Sequence, residues 1–225
     1  MNVFNASAWV LPILLAVTLH EAAHAYAAWR LGDETAKQLG RVTLNPLKHV
    51  DLIGTVLLPG LLIFSGAPFL FGYARPVPVN MRALRHPRRD MALVAMAGPL
   101  TNILLALAAA FCIHLLVTLP QEVAPWVGAN LRNMIVLNVL LFAFNMLPVP
   151  PLDGGRIAAS LLPASLGARY AGIAPYGIAL VLVVFVAAPV LGRQIGVDLN
   201  AGPGALRAVT DFLVRAIVVL AGLGR

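Results

Sequence analysis

The stretch WVLPILLAVTLHEAAHAYAAW, residues 9–29, joins an apolar segment of membrane length to three ionisable side chains. On an α-helix, residues four apart share a face, so His20 and His24 can direct two imidazoles at one metal ion. Glu21 lies about 100° round the helix, where its carboxylate can reach a water at the metal without binding the metal. Because ionisable groups at membrane depth are costly, the stretch predicts a hydrolytic metal site within a bilayer.

The composition of the whole chain is that of a membrane protein. The 225 residues are 60% hydrophobic and only 11% charged, with a mean hydropathy of +0.87, whereas about a quarter of a soluble domain is charged. No polar linker or internal repeat divides the chain, so residues 1–225 are predicted to form a single domain. The lone cysteine, Cys112, excludes an internal disulfide and is expected to be a small apolar-facing side chain.

The positive charge is concentrated rather than spread. Of the 16 basic residues that give a net charge of +7, nine lie between Arg30 and Arg89, in the segments 30–51 and 73–90. No basic stripe accompanies stacking aromatic residues, so nucleic acid is not an expected partner. Under the positive-inside rule, both segments are predicted to be cytoplasmic loops of a protein embedded in a lipid bilayer.

Apolar runs indicate the transmembrane helices. A bilayer core of about 30 Å needs roughly 20 residues, and the runs that qualify are residues 7–29, 91–118, 131–148 and 169–191. The C-terminal segment 204–223 is amphipathic, so it is expected at the membrane interface or packed against the bundle. The predicted fold class is an all-α polytopic membrane protein with about four to six transmembrane or re-entrant helices, a core over 7–160 and two C-terminal helices.

Two segments between the first and second spans allow more than one interpretation. The apolar run 52–72 is broken by Pro59-Gly60 and by Gly66-Ala67-Pro68, which favours a re-entrant hairpin slightly over a tilted span. Residues 38–46 (QLGRVTLNP) predict a short interfacial strand or an ordinary loop. An uncovered edge strand there would offer pairing to an extended peptide.

A hydrolytic zinc site needs a third protein ligand besides the two histidines. The extended motif of soluble zinc proteases would place Gly at position 27 and His at position 30, where this chain has Ala27 and Arg30. The remaining candidates are Asp33, Glu34, His49, Asp51, His86, Asp90, His114 and Asp153.

Most of these candidates have an ordinary structural interpretation. Asp33 and Glu34 follow Gly32 and are expected to be solvated residues past a helix end. Asp90 neighbours arginines and is expected to form a loop salt bridge. His114, in an apolar run without a polar partner nearby in sequence, is expected to bond a backbone carbonyl.

Asp153 stands in a different context, the run NMLPVPPLDGG of residues 145–155. The prolines end the preceding apolar helix, and Gly154-Gly155 permits a tight backbone path. Such a broken helix end can hold a carboxylate at membrane depth and direct it at a metal. The alternative is that Asp153 caps a helix beginning near Arg156.

With these motifs the chain resembles the site-2 protease family of intramembrane zinc metalloproteases. The resemblance rests on the motifs His20-Glu21-x-x-His24, Ala97-Gly98-Pro99-x-x-Asn102 and Asn145-x-x-Pro148-x-Pro150-x-Leu152-Asp153-Gly154, which follow the family's order. The segments Leu44–His49 and Arg75–Asn80 are similar to those of the small prokaryotic members that lack a PDZ domain.

The resemblance implies a fold, a cofactor and a reaction. His20, His24 and Asp153 match the family's ligands for one zinc ion, and Glu21 matches its general base. The expected reaction is hydrolysis of peptide bonds in or near transmembrane segments of membrane proteins, by water that zinc activates. The resemblance also favours a multi-pass protein of the inner (plasma) membrane with its site towards the cytosol.

Two asparagines in apolar helices complete the predicted site. Asn145 matches the family's recurring asparagine and is expected to act with Glu21 in catalysis, by bonding the developing oxyanion. Asn102 fits either a role in the site or helix packing, since amide hydrogen bonds between membrane helices are common.

The alternative function is that of a zinc-binding membrane protein without proteolysis: a transporter, a sensor or an inactive relative. The sequence does not indicate an oligomeric state.

Overall fold

The computed structural model describes residues 3–49, 51, 57 and 75–224. In these ranges the chain forms helices α1 (Val3–Arg30), α2 (Thr35–Gln38), α3 (Pro87–Cys112), α4 (Ala124–Asn145), α5 (Asp153–Leu161), α6 (Ala164–Ala171), α7 (Ala174–Leu182), α8 (Ala188–Ile195) and α9 (Ala201–Leu220). A π-helical turn, Val183–Ala187, joins α7 to α8, and 3-10 turns cover Pro46–Lys48, Met81–Ala83 and Ile113–Thr118. The described ranges contain no strand, which confirms the all-α fold class.

Four helical segments are long and apolar enough to cross a membrane: Phe4–Arg30, Pro87–Thr118, Ala124–Asn145 and Ala174–Ile195. They confirm the four predicted runs, and the largest shifts are at the starts of the third and the fourth. The third begins at residue 124 instead of 131, because Pro125 in the first turn starts a helix ahead of the apolar run. The fourth begins at 174 instead of 169, because α6 occupies residues up to Ala171 and Gly172 is its C-cap.

The core lies between α1, α3 and α4, which pack against one another. Small side chains bring the helices close: Ala106, Ala109 and Ala110 of α3 are almost fully buried against Met134, Ile135 and Val139 of α4. Ile217 of α9 is buried in the same cluster. The amphipathic C-terminal helix therefore packs against the bundle, which was one of its two predicted placements.

For residues 38–46 the sequence left a short strand and an ordinary loop open, and the structure shows turns and bends of a loop. Gly40 has a φ of +63° and turns the chain directly after α2, and the Arg41 N–H donates to Ala36 O over 2.8 Å. Bends and the 3-10 turn from Pro46 follow. Backbone groups that a strand would offer to a neighbour are thus used in closing turns. The predicted re-entrant hairpin at 52–72 lies, apart from residue 57, outside the described residues.

The chain between α4 and α5 folds back tightly on itself. A Cβ on Gly154 would lie 2.3 Å from Met146 O, and one on Gly155 would lie 2.3 Å from Pro150 N. Only glycine therefore allows the start of α5 to approach this backbone so closely. The fold-back places α5 against α3, and with it Asp153 beside the bundle.

The two basic segments meet at one end of the bundle. α1 ends at Arg30, and the Arg85 N–H just ahead of α3 donates to Leu31 O over 3.1 Å. The Arg88 guanidinium bonds the carbonyl oxygens of Ser160 and Leu162 at the end of α5. The loops predicted to lie on one side of the membrane are therefore neighbours in space.

Candidate metal centre

Three buried ligand atoms from α1 and α5 converge on one point. His20 Nε2 and His24 Nε2 are 3.0 Å apart, and each lies 3.3 Å from Asp153 Oδ2. All three residues are at least 92% buried, with exposed fractions of 8%, 5% and 5%. Among the described residues, this is the group of histidine, cysteine and carboxylate side chains with the geometry to hold a metal ion.

The protons of the two imidazoles are directed away from this point. His20 Nδ1 lies 2.6 Å from Asn102 Oδ1, and His24 Nδ1 lies 2.7 Å from the backbone oxygen of Val94. Both partners are acceptors, so each Nδ1 carries the proton and each Nε2 presents a lone pair. Two lone pairs and a carboxylate oxygen facing each other at about 3 Å repel, unless a cation lies between them.

The spacing fits a tetrahedral zinc ion. Zinc binds nitrogen and oxygen at about 2.0–2.2 Å, so two ligands of a tetrahedral site are about 3.3–3.6 Å apart. Two of the observed edges, at 3.3 Å, match this range, and the third, between the two histidine nitrogens, is shorter at 3.0 Å. Three protein ligands leave the fourth position for water or substrate, as in catalytic zinc sites.

Gly98 of α3 allows this convergence. A Cβ at this position would lie 2.4 Å from His24 Nε2 and 2.7 Å from His20 Nε2, closer than any real contact. The helix backbone thus passes directly over the two ligand atoms. The sequence motif contained Gly98, but its spacing did not indicate that the residue touches both imidazoles.

Asp153 is not a helix cap. α5 begins at Asp153 itself, its N-cap is Leu152, and no side chain caps it. The other carboxylate oxygen of Asp153, Oδ1, lies 4.0 Å from Arg156 Nη1. The structure therefore favours the first of the two predicted interpretations, in which the carboxylate faces the histidines.

Glu21 lies outside the three-atom cluster and contacts a different segment. Its Oε2 accepts a hydrogen bond of 2.9 Å from the backbone N–H of Val77. Pro76 and Pro78 flank Val77 and hold the preceding residues in an extended conformation. The segment is anchored further along, where Asn80 N–H donates to Asp33 Oδ2 over 2.6 Å.

The two predicted asparagines have different surroundings. Asn102 is fully buried and contacts His20, so the structure places it at the site. Its Nδ2 donates over 2.8 Å to Oδ1 of Asn138, a fully buried residue of α4 that the sequence did not single out. The Nδ2 of Asn145 donates over 3.0 Å to Leu141 O in its own helix, and Asn145 is partly exposed at the end of α4.

The other ligand candidates lie elsewhere among the described residues. His114 Nε2 contacts the backbone oxygen of Ala221 at 2.7 Å, which confirms its predicted carbonyl partner. Asp90 is buried in the first turn of α3, where its Oδ2 accepts from the His86 N–H over 2.8 Å and lies 3.8 Å from His86 Nδ1, so its partner among the described residues is this histidine and not a neighbouring arginine. Its position near arginines in sequence does not bring their side chains to it, because the carboxylate turns towards the helix N-terminus.

Asp33 also differs from its prediction as a solvated residue. It is fully buried, and its carboxylate accepts from Thr35 N–H over 2.9 Å and from Asn80 N–H over 2.6 Å. The turn after α1 encloses it beneath the segment that contacts Glu21. His49 is likewise buried, with Nε2 3.0 Å from Thr43 O, whereas Glu34 and His86 are exposed.

Comparison with known proteins gives a family for this arrangement. The model of peptidase family M50 matches residues 122–188. The chain is 41% identical over 197 residues to "Putative zinc metalloprotease YwhC" of Bacillus subtilis, with 86% of each chain covered. It is 32% identical over 210 residues to "Putative zinc metalloprotease Rip2" of Mycobacterium tuberculosis, covering 90% of this chain and 77% of the relative. No solved structure matches the chain significantly.

An all-α fold with four helices of membrane length and a buried two-histidine, one-carboxylate centre defines the class of the protein. The chain belongs to peptidase family M50, the site-2 protease family. The resemblance drawn from the sequence motifs is thereby confirmed, and the family and its named relatives support a zinc-dependent membrane metalloprotease.

Proposed function

We propose that this protein is an intramembrane zinc metalloprotease, which hydrolyses peptide bonds in or near the transmembrane segments of membrane proteins. One observation carries the proposal. Three buried acceptor atoms, from His20, His24 and Asp153, converge with the spacing of a zinc site, and Glu21 lies on the helix that carries both histidines. Buried acceptors without a proton between them are unfavourable in an apolar bundle, so the arrangement supports a bound cation.

Each residue of the site then has a task. A zinc ion at the cluster supplies Lewis acidity, which polarises the scissile carbonyl and acidifies a water. Glu21 accepts the proton of the attacking water and returns it to the leaving amine. Asn145 is placed at the proline-broken end of α4, where its free amide hydrogen offers a bond to the developing oxyanion.

The charge distribution supports a site on the cytosolic side of a plasma membrane. The basic segments meet at the end of the bundle where α1 stops at Arg30, and the positive-inside rule assigns that end to the cytosol. With a rise of 1.5 Å per residue, His24 and His20 lie roughly 9 and 15 Å below this end. Water reaches such a depth more readily than the bilayer centre.

A groove lies on another face of the helix that carries the motif, and its lining does not include His20, Glu21, His24 or Asp153. It has a volume of about 420 Å³ and runs between the α1 residues Leu19, Ala22 and Tyr26 and the bend at Leu44. The substrate is expected to be a transmembrane helix that unwinds locally, because helical hydrogen bonds protect its carbonyl groups from attack.

The proposal is tested with purified protein in detergent and in liposomes, together with a labelled single-span substrate. Wild-type protein is expected to contain one zinc per chain and to cleave the substrate, and 1,10-phenanthroline is expected to stop cleavage until zinc is restored. Glu21→Gln is expected to retain zinc and lose cleavage. Asp153→Ala is expected to lose both.

Matched controls come from exposed residues of the same types. Glu34→Gln and His86→Ala change side chains that are exposed at the surface, and both are expected to leave zinc content and cleavage unchanged. Cleavage that persists in Glu21→Gln contradicts the proposed mechanism. Zinc binding without cleavage of any membrane substrate supports the alternative, a non-proteolytic zinc-binding membrane protein.

A further inference from the structure

A chain of buried amides runs from α4 to the metal-binding histidine of α1. Asn138 donates from Nδ2 to Met134 O, one turn earlier in its own helix, over 2.8 Å. Its Oδ1 accepts from Asn102 Nδ2 over 2.8 Å. Asn102 Oδ1 then lies 2.6 Å from His20 Nδ1. Asn138 and Asn102 are both fully buried, so water does not replace any of these bonds.

The donor-to-acceptor direction of these hydrogen bonds is set at one end by a backbone carbonyl, which cannot rotate. The backbone carbonyl of Met134 can only accept, so it holds the NH₂ group of Asn138 and turns the Asn138 oxygen towards Asn102. That oxygen requires the NH₂ group of Asn102, which turns the Asn102 oxygen towards His20. His20 must then carry its proton on Nδ1, which leaves Nε2 as a lone pair.

His20 depends on these hydrogen bonds because, among the described residues, the partner of its Nδ1 is the Asn102 side chain and not a backbone carbonyl. His24 Nδ1 contacts the backbone oxygen of Val94 at 2.7 Å, and a carbonyl fixes its tautomer directly. The amide of Asn102, in contrast, can bond an imidazole in either orientation. Its other acceptor, Ala16 O, lies at 3.4 Å and holds the Nδ2 group more weakly than Asn138 does at 2.8 Å.

We propose that Asn138 is a positioning residue of the metal centre, which acts through Asn102 to hold His20 in the tautomer that binds zinc at Nε2. The inference rests on the proposed function for the identity of the metal. Hydrogen-bond partners behind a metal ligand commonly change metal affinity by 10- to 100-fold when they are removed. Because Asn138 is one amide further from the metal, we expect a change of about ten-fold.

Zinc affinity, measured by competition with a chromogenic chelator, tests the proposal without any proteolysis. Asn138→Leu keeps the volume and removes the amide, and it is expected to weaken zinc binding about ten-fold. Asn138→Asp keeps an oxygen towards Asn102, and its buried carboxyl, protonated on the oxygen that faces Met134 O, is expected to recover most of the loss. The matched control is Asn130→Leu, since Asn130 is also buried on α4 and donates to its own-helix carbonyl at Trp126. Its zinc affinity is expected to equal that of wild type.

A second measurement reads the tautomer directly. After zinc removal, ¹⁵N spectra of histidine-labelled protein are expected to show His20 protonated at Nδ1 in wild type and in Asn138→Asp. A mixture of tautomers is expected in Asn138→Leu. The signal is assigned by its disappearance in His20→Gln.

The outcomes separate this proposal from the proposed function. Wild-type zinc affinity in Asn138→Leu, or a wild-type His20 protonated at Nε2, overturns the role of Asn138. If Asn138→Leu does not fold, the proposal is tested by the His20 tautomer of the wild type and by the zinc affinity of Asn138→Asp. Asn138→Asp is then expected to bind zinc more tightly than Asn102→Ala. Equal zinc affinities of these two variants overturn the proposal. If the affinities and tautomers are as expected but no substrate is cleaved, the protease proposal fails and the role of Asn138 stands.

Discussion

The backbone N–H of Val77 donates a 2.9 Å hydrogen bond to Glu21 Oε2, although 56 residues separate the two in sequence. This bond holds one carboxylate oxygen of Glu21. Because both oxygens lie in one plane, the bond also fixes the direction of the other oxygen. The proline-flanked segment around Val77 therefore fixes the direction of the proposed general base. Without this bond, the Glu21 side chain would sample several rotamers on the helix surface.

Val77→Pro is expected to reduce cleavage by about 10- to 100-fold, because a hydrogen bond to a charged group is worth about 1.5–3 kcal/mol. Proline suits an extended backbone and removes the N–H, but it also replaces the buried valine side chain. Zinc content is expected to stay at the wild-type level. Val77→Ala retains the N–H and serves as the control, with cleavage within a few-fold of wild type. Equal cleavage in both variants would show that the bond does not orient Glu21.

Gly98→Ala is expected to lose most of its zinc and its cleavage, because the added methyl would displace both histidine Nε2 atoms. In an ordinary helix the same change stabilises by about 1 kcal/mol. Gly204→Ala is the matched control, since a Cβ at this glycine of α9 meets no atom within 4 Å. The measurements are zinc per chain and thermal unfolding. Full zinc content in Gly98→Ala contradicts the close approach of α3.

Asp33→Ala is expected to destabilise the protein by about 2 kcal/mol, since it leaves the N–H groups of Thr35 and Asn80 without their acceptor. Cleavage is expected to fall while zinc remains, because the segment that contacts Glu21 loses its anchor. Thermal unfolding in detergent and a cleavage assay measure the two effects. Glu34→Ala, at the exposed neighbouring position, is expected to change neither.

Asn145→Ala is expected to lower the cleavage rate by about 100-fold at unchanged zinc content, the usual effect of removing one oxyanion donor. The control is Asn133→Ala, on the same helix as Asn145, which removes a packing hydrogen bond of 2.9 Å from Asn133 Nδ2 to Ala8 O of α1. That variant is expected to lose stability rather than catalytic rate. A rate for Asn145→Ala near the wild-type value rules out a role in catalysis.

Much of the fold was predictable because its signals are local. Membrane-length apolar runs indicate helices wherever they occur, and the four predicted spans correspond to four helices of the structure. Asp33 shows why other features were not predictable. It was interpreted from its neighbours in sequence as a solvated residue, but its carboxylate accepts from the N–H of Asn80, a backbone group 47 residues away that only the folded chain brings near.

The sequence by itself determined that residues 9–29 form an apolar helix with His20 and His24 on one face, because helix periodicity is a property of the local chain. It also limited the third ligand to a few candidates, with Asp153 in the most suitable context. Only the tertiary structure decided the contacts between the helices. Asp153 Oδ2 lies within 3.3 Å of both imidazoles, and Gly98 lies against them. Asn138 is linked to His20 by hydrogen bonds through Asn102. These contacts join α1, α3, α4 and α5, and no local pattern encodes a distance between helices that meet only after packing.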